Sequence, residues 1–128
     1  FSFFFTDANS LGASTAIFGL LAAEGVFLYQ NKELFGQRAQ RALSNIVMVA
    51  AVNLLIGLSP GIDNWGHIGG LIGGLIFAAM GGPRWEMEGI YPLMKLVDRR
   101  DMSHAITAGL VVVGLFSIVA ILKFMGIN

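Results

Sequence analysis

The sequence contains no cysteine among its 128 residues. It can therefore form no disulfide and no cysteine-based metal or iron–sulfur site, and it has no thiolate nucleophile. Charged residues are scarce as well, at 12% of the chain, about half of the roughly 25% that is usual in soluble domains. Eight Lys and Arg balance eight Asp and Glu without any block of like charge, which argues against nucleic acid as a partner. With only two histidines, we predict neither a metal nor a cofactor.

Long apolar runs are abundant by contrast. Hydrophobic residues make up 55% of the chain, and the mean hydropathy is +0.73. Four runs contain few or no charges: residues 11–29, 42–58, 66–82 and 105–122. As helices of 17 to 19 residues they would reach about 26–29 Å, close to the thickness of the hydrocarbon core of a bilayer. The sequence therefore predicts an all-α membrane protein with four transmembrane helices, in contact with the lipid bilayer.

Basic residues are distributed unevenly between the links that join these runs. Seven of the eight lie in the first and third links, and none lies in the second link at residues 59–65. By the positive-inside rule, segments 30–41 and 83–104 are predicted to be cytoplasmic and loop 59–65 to face outside, in a multi-pass protein of the cell membrane. The seven residues are Lys32, Arg38, Arg41, Arg84, Lys95, Arg99 and Arg100.

The link at residues 83–101 has two interpretations. Apolar residues recur in this link at helical spacing, at Ile90, at Leu93 or Met94, and at Val97. This pattern predicts a short helix lying in the cytoplasmic interface of the membrane. A solvated linker with scattered apolar residues is an equal alternative.

Ser14 and His67 fall near the same predicted membrane face. Ser14 lies three residues into the first run and His67 one residue into the third, at a depth that water can reach. Serine becomes a nucleophile when a base takes its proton, and a neutral imidazole is suited to do so near pH 7. The two residues could therefore form a catalytic dyad. The residues also leave a simpler alternative open. In it, the serine serves helix packing, and the histidine forms a hydrogen bond with a neighbouring residue.

The sequence before His67 favours this chemistry. Residues 59–62, Ser-Pro-Gly-Ile, suit a type II turn. Asp63 or Asn64 can then cap the helix that follows, which puts His67 in its first turn. There the positive end of the helix macrodipole favours the neutral ring, the form that accepts a proton.

Local features of the two helices add to this prediction. Asn9 or Ser10 can cap the first helix, which would leave backbone N–H groups beside Ser14 to stabilise an oxyanion. On the third helix, glycines cover one face with His67 at its edge, so another helix can approach almost backbone to backbone. Tight packing without catalysis explains these glycines equally well. They are Gly66, Gly69, Gly70, Gly73 and Gly74.

The two motifs together resemble those of the rhomboid family of intramembrane serine proteases. Residues 12–19, Gly-Ala-Ser-Thr-Ala-Ile-Phe-Gly, are similar to the G-x-S-x motif around the family's nucleophile. Residues 61–74, with His67, Gly70 and Gly74, are similar to the H-x-x-G-x-x-x-G helix that holds its base. The resemblance covers all four runs, which correspond to the family's fourth to sixth core helices and an additional seventh.

This resemblance implies a partial rhomboid domain over residues 1–128. It also implies an endopeptidase that cleaves transmembrane proteins, with Ser14 as the nucleophile and His67 as the base. Thr15 stands where glycine usually follows the nucleophile. The chain opens on Phe1 without a basic segment, so we expect no signal peptide and a longer product. The family's first three helices, which carry part of its oxyanion hole, are absent, and this chain alone is expected to be inactive.

Two other hypotheses belong to different functional classes. The chain could be a catalytically idle rhomboid-like protein that serves as a structural or accessory subunit of a larger membrane complex, for example a photosynthetic or respiratory one. Its partners would then be neighbouring membrane subunits in place of transmembrane substrates. An ion or proton pathway is a more distant hypothesis, because Glu24 and His67 are the ionisable residues within the runs.

Overall fold

The computed structural model describes residues 13–126. They form a mostly helical bundle, in which the four longer helices lie on the four apolar runs, together with a two-stranded antiparallel sheet. In chain order the elements are α1 (Ser14–Gln30), α2 (Lys32–Phe35), α3 (Gln37–Ile56), α4 (Asn64–Gly81), β1 (Trp85–Glu88), β2 (Lys95–Asp98) and α5 (Met102–Phe124).

Helices α3 and α5 are long and apolar enough to cross a membrane. The most apolar stretch has a mean hydropathy of 1.5 in α3 and 2.6 in α5. In each helix only 6% of that stretch is buried inside the protein. Helix α1 is also apolar but is shorter, at 17 residues. By length and composition the fold agrees with a helical membrane protein, and the crossing of all four long helices stays a prediction.

Helices α1 and α4 run parallel to each other. Thr15 of α1 lies against Gly66 and Gly70 of α4, and Gly19, one turn later, lies against Gly70 and Gly74. Both helices therefore begin at the same end of the bundle.

Helix α5 runs antiparallel to α4. Gly81, the last residue of α4, lies against Ala105 near the start of α5, whereas Gly73 lies against Phe116 further along it. The links at residues 31–36 and 82–101 consequently share the end of the bundle at which α1 and α4 finish. All seven basic residues singled out above lie in or beside these two links.

A buried asparagine joins the two links at that end. Asn31 is only 2% exposed. Its Nδ2 donates hydrogen bonds to the carbonyl oxygens of Phe27 (2.7 Å) and Pro83 (3.0 Å), and its Oδ1 accepts one from the Trp85 N–H (2.6 Å). This one side chain therefore connects the end of α1 to the start of the hairpin.

We expect Asn31→Ala to lower the free energy of unfolding by about 1–3 kcal/mol, because the Pro83 carbonyl and the Trp85 N–H would lose their buried partner. Thermal unfolding of the purified protein in detergent micelles measures the change. The matched control is Asn53→Ala, since Asn53 is an exposed asparagine whose side-chain Nδ2 donates to the Val49 carbonyl of its own helix (2.8 Å). Equal destabilisation by the two variants would contradict a special role for Asn31.

The prediction of an interfacial helix within residues 83–101 is wrong. Strands β1 and β2 pair as a hairpin, with Trp85 opposite Asp98 and Glu88 opposite Lys95. Gly89 has a φ of +105°, which L side chains rarely adopt, and Pro92 has no N–H to donate to a helix. The described fold is thus mostly helical, in agreement with the predicted all-α class, and carries one small β-hairpin.

Helix α5 begins at a carboxylate cap. Asp101 accepts hydrogen bonds from the Ser103 N–H (3.1 Å) and hydroxyl, and its Oδ1 lies 2.9 Å from His104 Nδ1. These bonds, above all the one from the Ser103 side chain, lower the pKa of Asp101 to about 2. The cap is therefore ionised at neutral pH and marks the start of α5 with a charge.

Candidate active site

The candidate site lies at the end of the bundle where α1 and α4 begin. Ser14 was predicted to lie three residues into the first apolar run, and it is the first residue of α1 and half-buried. Ala13 before it makes no side-chain cap hydrogen bond. The predicted capping residues Asn9 and Ser10 lie outside the described residues.

The start of α4 is built as the sequence predicts. The Ile62 N–H donates to the Ser59 carbonyl oxygen at 3.3 Å, and Gly61 has a φ of +88°, as a type II turn requires. Asp63 is the cap, and its Oδ1 accepts a hydrogen bond from the Gly66 N–H at 2.9 Å. His67 therefore lies in the first turn of its helix.

The His67 side chain is buried and packs on an aromatic ring. The residue is 6% exposed, and its imidazole stacks on the ring of Phe18 with centroids 4.4 Å apart and an interplanar angle of 19°. Its Nδ1 is buried and has no hydrogen-bond partner among residues 13–126. Such an unpaired buried group costs about 1–3 kcal/mol, and groups of this kind occur at catalytic centres.

This stacking brings His67 to one particular face of α1. Ser14 and Phe18 are four residues apart, so they lie on the same face of that helix, one turn from each other. The hydrogen bonds of the described residues do not include one between Ser14 and His67. Their pairing as a dyad stays a prediction.

The glycines of α4 allow the close approach that the sequence predicts. A Cβ added to Gly70 would collide with the backbone oxygen of Thr15, and one added to Gly74 with that of Gly19. A Cβ on Gly66 would lie 2.9 Å from the Thr15 Oγ1. The space left by Gly66 therefore accommodates the threonine that departs from the family motif.

Sequence reasoning did not single out Phe18. Its spacing of one helical turn from Ser14 was visible, but aromatic residues at helical spacing are ordinary in apolar helices. Only the packing of α1 on α4 shows that this ring contacts the histidine. Over the part of the chain that the structure describes, no three His, Asp or Glu side chains come together as metal ligands.

Comparison with known proteins agrees with these motifs. The sequence model of the rhomboid domain matches residues 1–84, a segment that contains both Ser14 and His67. It ends just before the hairpin, so β1, β2 and α5 lie beyond the match. No solved structure matches the chain at a significant level.

Several curated proteins are similar to the chain. RHOMBOID-like protein 7 of Arabidopsis thaliana is 38% identical over 87 residues, covering 66% of this chain and 28% of that protein. Rhomboid protease GluP of Bacillus subtilis is 43% identical over 79 residues, covering 61% and 15%. RHOMBOID-like protein 2 of Arabidopsis thaliana is 31% identical over 134 residues, covering 99% and 42%. The chain thus spans less than half the length of these relatives. Because the domain match covers well over half of its residues and both motifs, the chain belongs to the rhomboid family.

Proposed function

We propose that this chain contributes the catalytic residues of a rhomboid intramembrane serine endopeptidase, with Ser14 as the nucleophile and His67 as the general base. The observation that carries the proposal is the buried imidazole of His67, stacked on Phe18 one turn along the same face of α1 as Ser14. Two relatives bear the name rhomboid protease, one from Bacillus subtilis and one from Providencia stuartii.

In the proposed reaction, the Ser14 Oγ attacks the carbonyl carbon of the scissile peptide bond while a ring nitrogen of His67 takes its proton. When the carbon–nitrogen bond breaks, His67 gives that proton to the leaving amine, and the acyl group remains on Ser14. Water then attacks the ester, His67 takes its proton, and Ser14 recovers a hydrogen as the acid product leaves.

The described packing suits each part of this reaction. Stacking on Phe18 holds the plane of the imidazole, and the Asp63 cap holds the first turn of α4 that carries it. The backbone N–H groups at the start of α1 have no side-chain cap from Ala13. They are candidates to donate hydrogen bonds to the oxyanion that forms on the substrate.

Membership of the rhomboid family implies a lipid bilayer as the environment, and the substrate class proposed is transmembrane proteins. In the proposed topology α1, α3, α4 and α5 each cross the bilayer, with loop 59–65 outside and both basic links in the cytoplasm. The gathering of the basic residues at one end of the bundle supports this orientation.

Cysteines introduced as Ser59→Cys and Arg38→Cys are expected to be labelled from opposite sides of the membrane, because the two exposed positions lie at opposite ends of α3. An impermeant thiol reagent applied to intact cells and to inverted vesicles makes the measurement. The chain itself has no cysteine, so it contributes no background. Labelling of both positions from the same side would overturn the topology.

A fluorescent fluorophosphonate tests the proteolytic function directly, because this reagent forms a stable bond only with an activated serine. We expect it to label the complete protein in its membrane, and Ser14→Ala and His67→Ala each to abolish that labelling. Ser59→Ala is the matched control, since Ser59 is an exposed serine near the same end of the bundle. Labelling that survives Ser14→Ala would reject Ser14 as the nucleophile. A native protein that takes up no reagent would instead support the catalytically idle subunit.

A further inference from the structure

The hairpin between α4 and α5 has two chemically different faces. Residues directly opposite each other in an antiparallel pair point to the same face, and neighbours along a strand point to opposite faces. The register therefore separates an apolar face from a charged face. The apolar face consists of Trp85, Met87 and Leu96, with Asp98 at its base, and the charged face consists of Glu86, Glu88 and Lys95, with Val97.

The charged face is paired within the hairpin. Arg99 follows β2, and its guanidinium contacts Glu86 Oε2 at 2.8 Å through Nε and Glu88 Oε1 at 2.7 Å through Nη1. These contacts raise the pKa of Arg99, first through the hydrogen bond to Glu86. The two carboxylates of this face are thus paired with Arg99 and need no partner from another part of the fold.

Most of the apolar side chains of the hairpin are exposed. Met87 and Leu96 are 50% and 51% exposed, and at the tip Ile90, Tyr91 and Leu93 are 84–87% exposed. Among the described residues neither strand packs along a helix. Large apolar side chains gathered at one place on a surface indicate an interaction site.

The position of the hairpin next to α5 indicates which environment its apolar side chains contact. Its base is held to the helical bundle, since Asn31 binds the Trp85 N–H and Arg100 Nη1 donates to the Gly82 carbonyl at 3.0 Å. Strand β2 ends at Asp98, and α5 begins only four residues later at Met102. Helix α5 is apolar enough to cross a membrane and is capped by the charged Asp101. If α5 crosses as proposed above, the hairpin lies at the level of the bilayer surface.

We propose that the hairpin is a membrane-interface anchor. Its apolar face and tip insert into the headgroup and outer acyl region of the cytoplasmic leaflet beside α5, and its charged face stays in water. Trp85 and Tyr91 suit this depth, because their amphipathic rings favour the membrane–water interface. A lipid surface fits better than a protein groove because α5, which begins four residues after β2, also exposes large apolar side chains near its start, such as Ile106 and Leu110. The proposal rests on the proposed membrane topology and does not depend on proteolysis.

Neighbouring positions on β2 provide the test, because Lys95 and Leu96 point to opposite faces. Single cysteines are introduced as Leu96→Cys, Lys95→Cys and, at the tip, Leu93→Cys in the complete protein, with any cysteine outside this chain replaced. Each is labelled with nitrobenzoxadiazole, and the protein is reconstituted in vesicles of phosphatidylcholine and phosphatidylglycerol. The probes at positions 93 and 96 are expected to emit at shorter wavelength than the probe at 95. Lipids with a nitroxide on the acyl chain should quench their emission at least about two-fold more strongly.

The alternatives give different results in the same experiment. Equal quenching of all three probes by aqueous iodide, with none by the nitroxide lipids, would mean that the hairpin projects into water and would overturn the proposal. A blue shift at positions 93 and 96 without nitroxide quenching would mean that protein covers the apolar face, and would overturn it too. Adding Ile90→Asp to the Leu96→Cys protein should weaken nitroxide quenching at position 96, because a carboxylate at the tip opposes insertion.

Discussion

Ser14→Ala and His67→Ala, introduced separately into the complete protein, are each expected to reduce cleavage of a membrane-anchored reporter by about 10⁴-fold or more, to background. The double variant should be no worse than either single one, because a nucleophile and its base act as a unit and the loss of one makes the other useless. Quantitative measurement of the cleaved reporter in membranes, at matched protein levels, gives all three values.

The chain offers a matched control for each residue. Ser59→Ala removes an exposed serine near the same end of the bundle, and His104→Ala removes the other histidine, which binds the Asp101 cap at the opposite end. Both controls should cleave the reporter at close to the native rate. Native cleavage by Ser14→Ala would reject Ser14 as the nucleophile. A native protein that does not cleave the reporter would leave the accessory-subunit hypothesis in place.

Gly70→Ala is expected to impair both folding and activity. The added Cβ would meet the backbone oxygen of Thr15, which cannot move aside as a flexible side chain could, so α1 and α4 must separate. Overpacking of this kind costs about 1–3 kcal/mol of stability. A displacement of about 1 Å between a nucleophile and its base can cost about 10²-fold in rate. Thermal unfolding in detergent and reporter cleavage measure the two effects.

Gly73→Ala is the control for that experiment. It adds the same methyl group to the same helix, but its Cβ would lie 3.5 Å from the ring of Phe116, an ordinary van der Waals contact. We expect nearly native stability and activity. If both alanine variants lose activity alike, general crowding around α4 would explain the loss, and the specific contact between α1 and α4 would not, since alanine favours a helix more than glycine does.

The sequence by itself was sufficient for the features that depend on local chemistry. The apolar runs marked the helices because backbone groups in lipid must bond within their own segment. The turn at residues 59–62 and the Asp63 cap were readable from local chemistry. Pro60 fixes its own φ, Gly61 allows the positive φ that the turn requires, and a carboxylate reaches N–H groups only a few residues away. That α1 and α4 begin at the same end of the bundle followed from the order of helices and links along the chain.

The contacts between segments distant in the chain became visible in the folded molecule alone. The stacking of Phe18 on His67 depends on how α1 rotates against α4, and a rotation is not encoded in spacing along one helix. Asn31 reads as an ordinary loop residue until the hairpin brings Pro83 and Trp85 to its amide. The apolar residues of segment 83–101 have helical spacing, but Gly89 and Pro92 do not favour a continuous helix there. The backbone groups on either side of them form hydrogen bonds between two strands. In each case the deciding interaction joins groups whose meeting depends on the packing of the whole chain.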